Sequence, residues 1–152
     1  MTDASRPISP AQIMPATVPM VRTLGMVFDE VTAERAVVRL PDQPAFHNHL
    51  GGPHAGAMFS LAETASGAVL LAAFGHLLDR AVPLAVSAQI RYLKLARGEV
   101  TATATLARPA AEVVAELEVG RRPEFTVDVE ITRPDGGVSG RMTITWTLRP
   151  HS

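Results

Sequence analysis

The chain has no cysteine. Disulfides, thiolate nucleophiles and thiolate metal sites are therefore excluded. It also has almost no excess of either charge: 14 basic residues face 15 acidic ones, a formal net charge of -1, so no electrostatic field marks nucleic acid or an anionic membrane as a partner. The opening MTDASRPISP lacks both the basic start and the apolar run of a secretory signal, and a cytoplasmic location is the expectation. Residues 1–10 are expected to form a flexible tail. Internal repeats, low-complexity tracts and Gly- or Pro-rich linkers are missing too. The 152 residues, 47% hydrophobic, are expected to build one domain with a real core.

What the chain does have is a long stretch with one carboxylate in it. In HNHLGGPHAGAMFSLAETASGAVLLAAFG, His47 to Gly75, the only charged side chain after His54 is Glu63, and none other follows until Asp79. Ala55 to Phe74 approaches the roughly 20 residues of a membrane span, but Ser60, Glu63, Thr64 and Ser66 fall in its middle and no basic cluster flanks it. The stretch reads instead as a buried helix of a soluble fold, and a helix apolar on every side must be surrounded by protein.

The surroundings come from segments that alternate with period two, as half-buried strands do. Met142, Ile144, Trp146 and Leu148 oppose Thr143, Thr145 and Thr147; Val100, Ala102, Ala104 and Leu106 oppose Thr101, Thr103 and Thr105; Phe125, Val127, Val129 and Ile131 form a third such set. RPDGG at 133–137 is a turn signal, so 125–133 and 137–148 are expected to form an antiparallel hairpin. Further strands are expected at 26–32, 34–40 and 82–95. Pro15 and Pro19 limit any helix in 13–24 to a short piece. The stretch from Pro109 reads as a short helix ending near Gly120, although AELEV also alternates.

With this order established, HNHLGGPHAGAMFSLAETASG resembles the signature of hotdog-fold acyl-CoA thioesterases of the phenylacetic-acid-pathway type, in which Asn, a His-Gly-Gly turn and Leu-Ala-Asp or Leu-Ala-Glu follow at these intervals. It is closer still to an uncharacterised hotdog subfamily whose turn reads His-Ala-Gly-Ala. With the closing TITWTLRP the resemblance spans roughly residues 20–150. It implies an α+β hotdog fold, an antiparallel sheet of about six strands wrapped around a long central helix. It also implies hydrolysis of an acyl-CoA thioester without metal or other cofactor. Hotdog domains also serve as dehydratases and as non-catalytic acyl or acyl-CoA binders, and the binder is the alternative reading. The pairing of Asp and His expected of hydratases is not evident in HAGAMFSLAET.

The signature positions also have a physical reading of their own. Gly56 and Ala57 open the helix, where free N–H groups and the positive dipole end suit a developing oxyanion. Glu63, two turns on, sits in an apolar setting that raises a carboxylate pKa, and suits a general base or a nucleophile. Asn48 can donate and accept hydrogen bonds, and so hold a water or the thioester. His54 can orient the turn through a ring hydrogen bond. The plainer alternatives are a Glu63 bonded to a Thr or Ser hydroxyl and a structural His54. His47, His49 and His54 can be imagined as metal ligands, but no second carboxylate lies near them and no metal is expected. Glycines 51, 52 and 56 lack the Lys-Ser/Thr of a phosphate-binding loop.

Some positions depart from the thioesterase pattern. Ala55 stands where better-known relatives have the first glycine of the turn, and its Cβ narrows the approach to the backbone. Ala85 stands where some relatives carry Ser or Thr on the long strand, with Ser87 close by, and Glu63 replaces Asp. Thr64, Ala85, Ser87, Arg91 and Lys94 are the candidate substrate contacts.

One sheet covers only part of a helix that is apolar all round and leaves an edge strand open. The resemblance implies a homodimer, or a dimer of dimers, in which Asn48 and His54 of one protomer face Glu63 of the other. Coenzyme A would then lie along the surface, with Arg80, Arg91, Lys94 and Arg97 as candidates for its phosphates.

Overall fold

The computed structural model describes residues 9–152; most of the segment expected to be a flexible tail lies outside these residues. Ser9 and Pro10 do not belong to a tail. They start helix α1 (Pro10–Thr17), where Gln12 Oε1 accepts the Ser9 N–H at 3.1 Å. As the two prolines imply, the helices here are short pieces; α1 runs through Pro15, and the break falls at Val18, which is extended (φ -115, ψ 97) before α2 (Pro19–Thr23). The ring of Pro19 clashes with a helical conformation at the preceding residue, which is why the chain turns there.

Six strands follow the expected order: β1 (Val27–Val31), β2 (Arg35–Leu40), β3 (Ala81–Tyr92), β4 (Val100–Leu106), β5 (Glu124–Thr132) and β6 (Val138–Pro150). Between β2 and β3 comes the long helix α3 (Ala55–Phe74), and between β4 and β5 the short helix α4 (Ala110–Glu118). The segment after Pro109 is thus a helix, closed by Gly120 at φ 77. The long strand stops at Tyr92, short of the expected Leu95, because the N–H groups of Leu93 and Lys94 both turn to the Ser139 carbonyl. The RPDGG turn closes as its residues dictate: Gly136 takes φ 83, Arg133 N–H donates to Gly137 O at 2.8 Å, and Gly137 N–H donates to Asp135 Oδ1 at 2.8 Å.

All pairings are antiparallel, in the order β1-β2-β4-β5-β6-β3. The sheet curls around α3, which lies against β2, β4 and β5. Small residues on β4, Ala102 and Ala104, let the helix approach, and Val38, Leu40, Val127 and Ile131 fill the flanks, all buried. Phe74 and Phe125 close one end with ring centroids 5.2 Å apart. In length and composition α3 would suit a membrane, but two thirds of its apolar window is buried in the protein's own interior.

Two features of this architecture position the site. First, α3 keeps one incompletely covered stripe, Gly56, Ser60, Glu63, Gly67 and Leu71, spaced three or four residues apart on one face. Secondly, the two sheet edges differ. β1 is short and charged, with Glu30 paired to Arg35 and Asp29 to Arg39, as an edge that avoids pairing should be. β3 is twelve residues long, with Val86 and Tyr92 exposed.

Candidate active site

Glu63 lies halfway along α3 and is half-buried. Its carboxylate borders a cavity of about 240 Å³ whose other walls are almost wholly apolar, among them Met14, Val21, Leu70 and Trp146. Burial alone raises its pKa above the ordinary glutamate range; no neighbouring charge or hydrogen bond opposes it among the described residues. Among the described residues no Thr or Ser hydroxyl is bonded to the Glu63 carboxylate. Ser66 instead donates to the Glu63 backbone carbonyl at 2.6 Å and accepts the indole N–H of Trp146 at 3.2 Å. This relay from β6 fixes the turn of α3 that carries Glu63. Thr64 is buried beside the same cavity.

The start of α3 is organised by His54. It caps the helix, its Nδ1 accepting the Gly56 N–H at 2.8 Å. In that bond the ring is neutral with its proton on Nε2. Gly56 is thus not a free oxyanion donor, because a side chain two residues back already fills that role. The N–H groups of Ala55 and Ala57 keep no partner among the described residues, and these are the donors left at the helix opening. His54 and Gly56 border a second cavity of about 370 Å³ with Met20, Phe46 and Ser60.

Asn48 ties its own loop. Its Oδ1 accepts the N–H groups of Leu50 (2.9 Å) and Gly52 (3.2 Å), and its Nδ2 donates to Pro53 O at 3.4 Å. One amide hydrogen is left over for a ligand. The loop is pressed onto the chain after β3, where a Cβ on Gly52 would collide with the Ala96 carbonyl oxygen. Asn48, Ala55, Tyr92 and Lys94 border a third cavity of about 310 Å³, over which the Tyr92 hydroxyl donates to Ala55 O at 2.9 Å. His47 pairs with Asp42 at 2.6 Å, and no three His, Asp or Glu converge among the described residues.

Within one protomer the candidate residues therefore fall into separate places. Glu63 and Thr64 share one cavity, His54 and Gly56 a second, and Asn48, Ala55 and Lys94 a third. Gly56 and Glu63 share a face but stand about 10 Å apart along the axis at 1.5 Å per residue.

The two β3 candidates part company at a bulge. Ala85 pairs with Trp146 and Ser87 with Thr145, leaving Val86 as the extra residue. Ladder partners share a face, so Ala85 is on the helix side with Trp146 and Ser87 is turned to the other side. The β3 residue that reaches the Glu63 cavity is Pro83. Arg80 is taken by Glu118 at 2.8 Å, an ion pair that also raises the Arg80 pKa, and it leaves the set of phosphate candidates. Arg91, Lys94 and Arg97 remain exposed. Sequence reasoning did not find Met14, Pro83, Ser66 or Trp146; the only signal for the last was a lone tryptophan on the inward face of a strand.

A family profile described as a domain of unknown function, DUF4442, matches residues 10–148. The chain belongs to this family. No curated protein matches it. Among solved structures it is similar to PA5026 from Pseudomonas aeruginosa, a protein of unknown function named a probable thioesterase, at 24% identity and TM-score 0.84 over 93% of this chain and 94% of that one. It is also similar to a thioesterase family protein from Silicibacter pomeroyi (21% identity, TM-score 0.71, 93% and 97% covered). A third is a mutant of the thioesterase enzyme SAV0944 from Staphylococcus aureus (21% identity, TM-score 0.70, 88% and 100% covered). These likenesses establish the hotdog fold, shared with proteins named as thioesterases.

Proposed function

We propose that the protein hydrolyses an acyl-CoA thioester to a free acid and coenzyme A, with Glu63 as the reacting carboxylate. The observation that carries this is the unpaired Glu63 carboxylate bordering an apolar cavity. The side chain is half-buried, makes no side-chain bond among the described residues and has its pKa raised by burial, as suits a carboxylate that takes up a proton. As general base, Glu63 takes a proton from water while the water oxygen attacks the thioester carbon; the C–S bond then breaks and the proton passes to the departing thiolate. As nucleophile its carboxylate attacks the thioester carbon, the C–S bond breaks and the coenzyme A thiolate leaves, and water then opens the resulting anhydride to the free acid and the restored Glu63. In either route the oxyanion needs donors, and Ala55 and Ala57 N–H at the α3 opening are the free ones.

Those donors stand too far along α3 to serve the Glu63 of their own protomer. A second copy joined through the free β3 edge removes the difficulty, setting one protomer's helix opening and Asn48 beside the other's Glu63. The exposed Val86, Tyr92, Leu93 and Leu95 support burial of that edge. Coenzyme A would lie by Lys94, with Arg91 and Arg97 for its phosphates.

The occupied Gly56 N–H and the Cβ of Ala55 favour a second reading, a non-catalytic acyl-CoA binder using the same cavity. Free-thiol release from a panel of acyl-CoAs separates the two. Turnover on any member supports the enzyme, and binding without turnover supports the binder.

A further inference from the structure

The Glu63 cavity is closed on one side by α1 and α2, through Met14, Val18 and Val21, and on the other by α3 and β6. Met14 is buried, and its Cε lies 3.6 Å from where a Cβ on Gly67 would stand. Gly67 is one turn beyond Glu63 on the open stripe of α3, so it occupies the floor of any chain running from the carboxylate along the helix. A larger residue at 67 would fill that floor, and a smaller one at 14 would open the roof.

We propose that Met14 over Gly67 is the length gauge of the acyl site, and that the site takes an uncharged, apolar acyl group of short to medium length. The cavity holds about 240 Å³; at roughly 30 Å³ per water-sized group this is about eight heavy atoms. Among the described residues Glu63 is the one charged group on its walls and no basic side chain lines it, so an acyl group ending in a second carboxylate finds no partner among them and would meet a like charge. An unbranched aliphatic chain fits, and so does an aromatic ring against Trp146.

The proposal rests on the thioesterase reading for its chemistry but not for its cavity, and the test keeps them apart. Non-hydrolysable S-alkyl-CoA thioethers of increasing length are titrated calorimetrically into wild type, Met14→Ala, Gly67→Ala and Gly67→Leu, and acyl-CoA turnover is measured on the same preparations. In wild type, affinity is expected to rise about fourfold per methylene and to level off near eight carbons. Met14→Ala removes three heavy atoms and moves the limit about three carbons longer; Gly67→Ala shortens it by about one and Gly67→Leu by about four, each added group displacing one of similar volume. An unchanged limit in the folded variants overturns the gauge, as does wild type that binds no alkyl-CoA at all. Shifted limits without turnover in any protein would leave the gauge standing and remove the hydrolase. Gly67→Ala guards against misfolding, since alanine is favoured over glycine within a helix.

Discussion

Ser66→Ala tests how the turn carrying Glu63 is held. Ser66 is fully buried, accepts the Trp146 indole N–H at 3.2 Å and donates to the Glu63 carbonyl at 2.6 Å. Removing the hydroxyl strands the indole N–H in the core, at a cost of about 1–3 kcal/mol. Alanine returns about 0.5 kcal/mol of helix propensity. The net loss is thus about 0.5–2.5 kcal/mol, which at about 2–4 °C per kcal/mol for a chain of this size lowers Tm by roughly 1–10 °C. The decisive arm is the second background. In Trp146→Phe the ring has no N–H to strand, so Ser66→Ala added there should be close to neutral. Denaturant unfolding of the four proteins reads the coupling. Equal costs of Ser66→Ala in the two backgrounds would refute the relay.

Further outcomes follow from the same geometry. Gly52→Ala pushes a Cβ onto the Ala96 carbonyl oxygen; backbone against backbone cannot yield by a rotamer change, so a loss of about 1–3 kcal/mol is expected by chemical denaturation, and a cost near zero would show that the loop moves freely. Burial raises the Glu63 pKa in the folded state, so the folded protein binds more protons than the unfolded one between the ordinary glutamate range and that raised value, and Glu63 costs stability increasingly as pH rises through this window. The Tm advantage of Glu63→Gln should therefore grow with pH there and vanish below it; a constant gap across a pH series would contradict the assignment. Sedimentation should find dimers or larger at low micromolar concentration, because separate protomers expose the β3 edge, and a compact 16.2 kDa species would count against the composite site.

Much of this was legible from patterning. The lone charge in a run of small and apolar residues marked α3, and strict alternation marked β4, β5 and β6, because a period of two on a half-buried sheet leaves few other readings. The prolines did limit the helices near the N-terminus to short pieces, but which proline sets the break was not legible: α1 continues through Pro15 and ends at Val18, before Pro19. Register was out of reach. The bulge at Val86 turns Ser87 away from the face of Ala85 and Pro83, the latter lining the Glu63 cavity, and nothing in alternation announces an extra residue on an edge strand. The capping bond from Gly56 to His54 was half visible. A hydrogen-bonded His was foreseen, but that it would take the very N–H proposed for the oxyanion depends on a ring orientation that spacing does not encode. The ion pair of Arg80 joins residues 38 apart in sequence, and such pairings emerge only once the sheet order is known.

The most direct test of the central claim is free-thiol release from acyl-CoAs by wild type and Glu63→Gln, read with thermal unfolding of the same samples. Glutamine keeps the size and hydrogen-bonding capacity of the side chain and removes its charge. Wild type is expected to hydrolyse at least one apolar acyl-CoA, and Glu63→Gln to lose about 100-fold or more in kcat while unfolding at the same or a higher temperature near neutral pH. Near-wild-type turnover in a well-folded Glu63→Gln would contradict the account, because the carboxylate would then be a half-buried charge without chemistry.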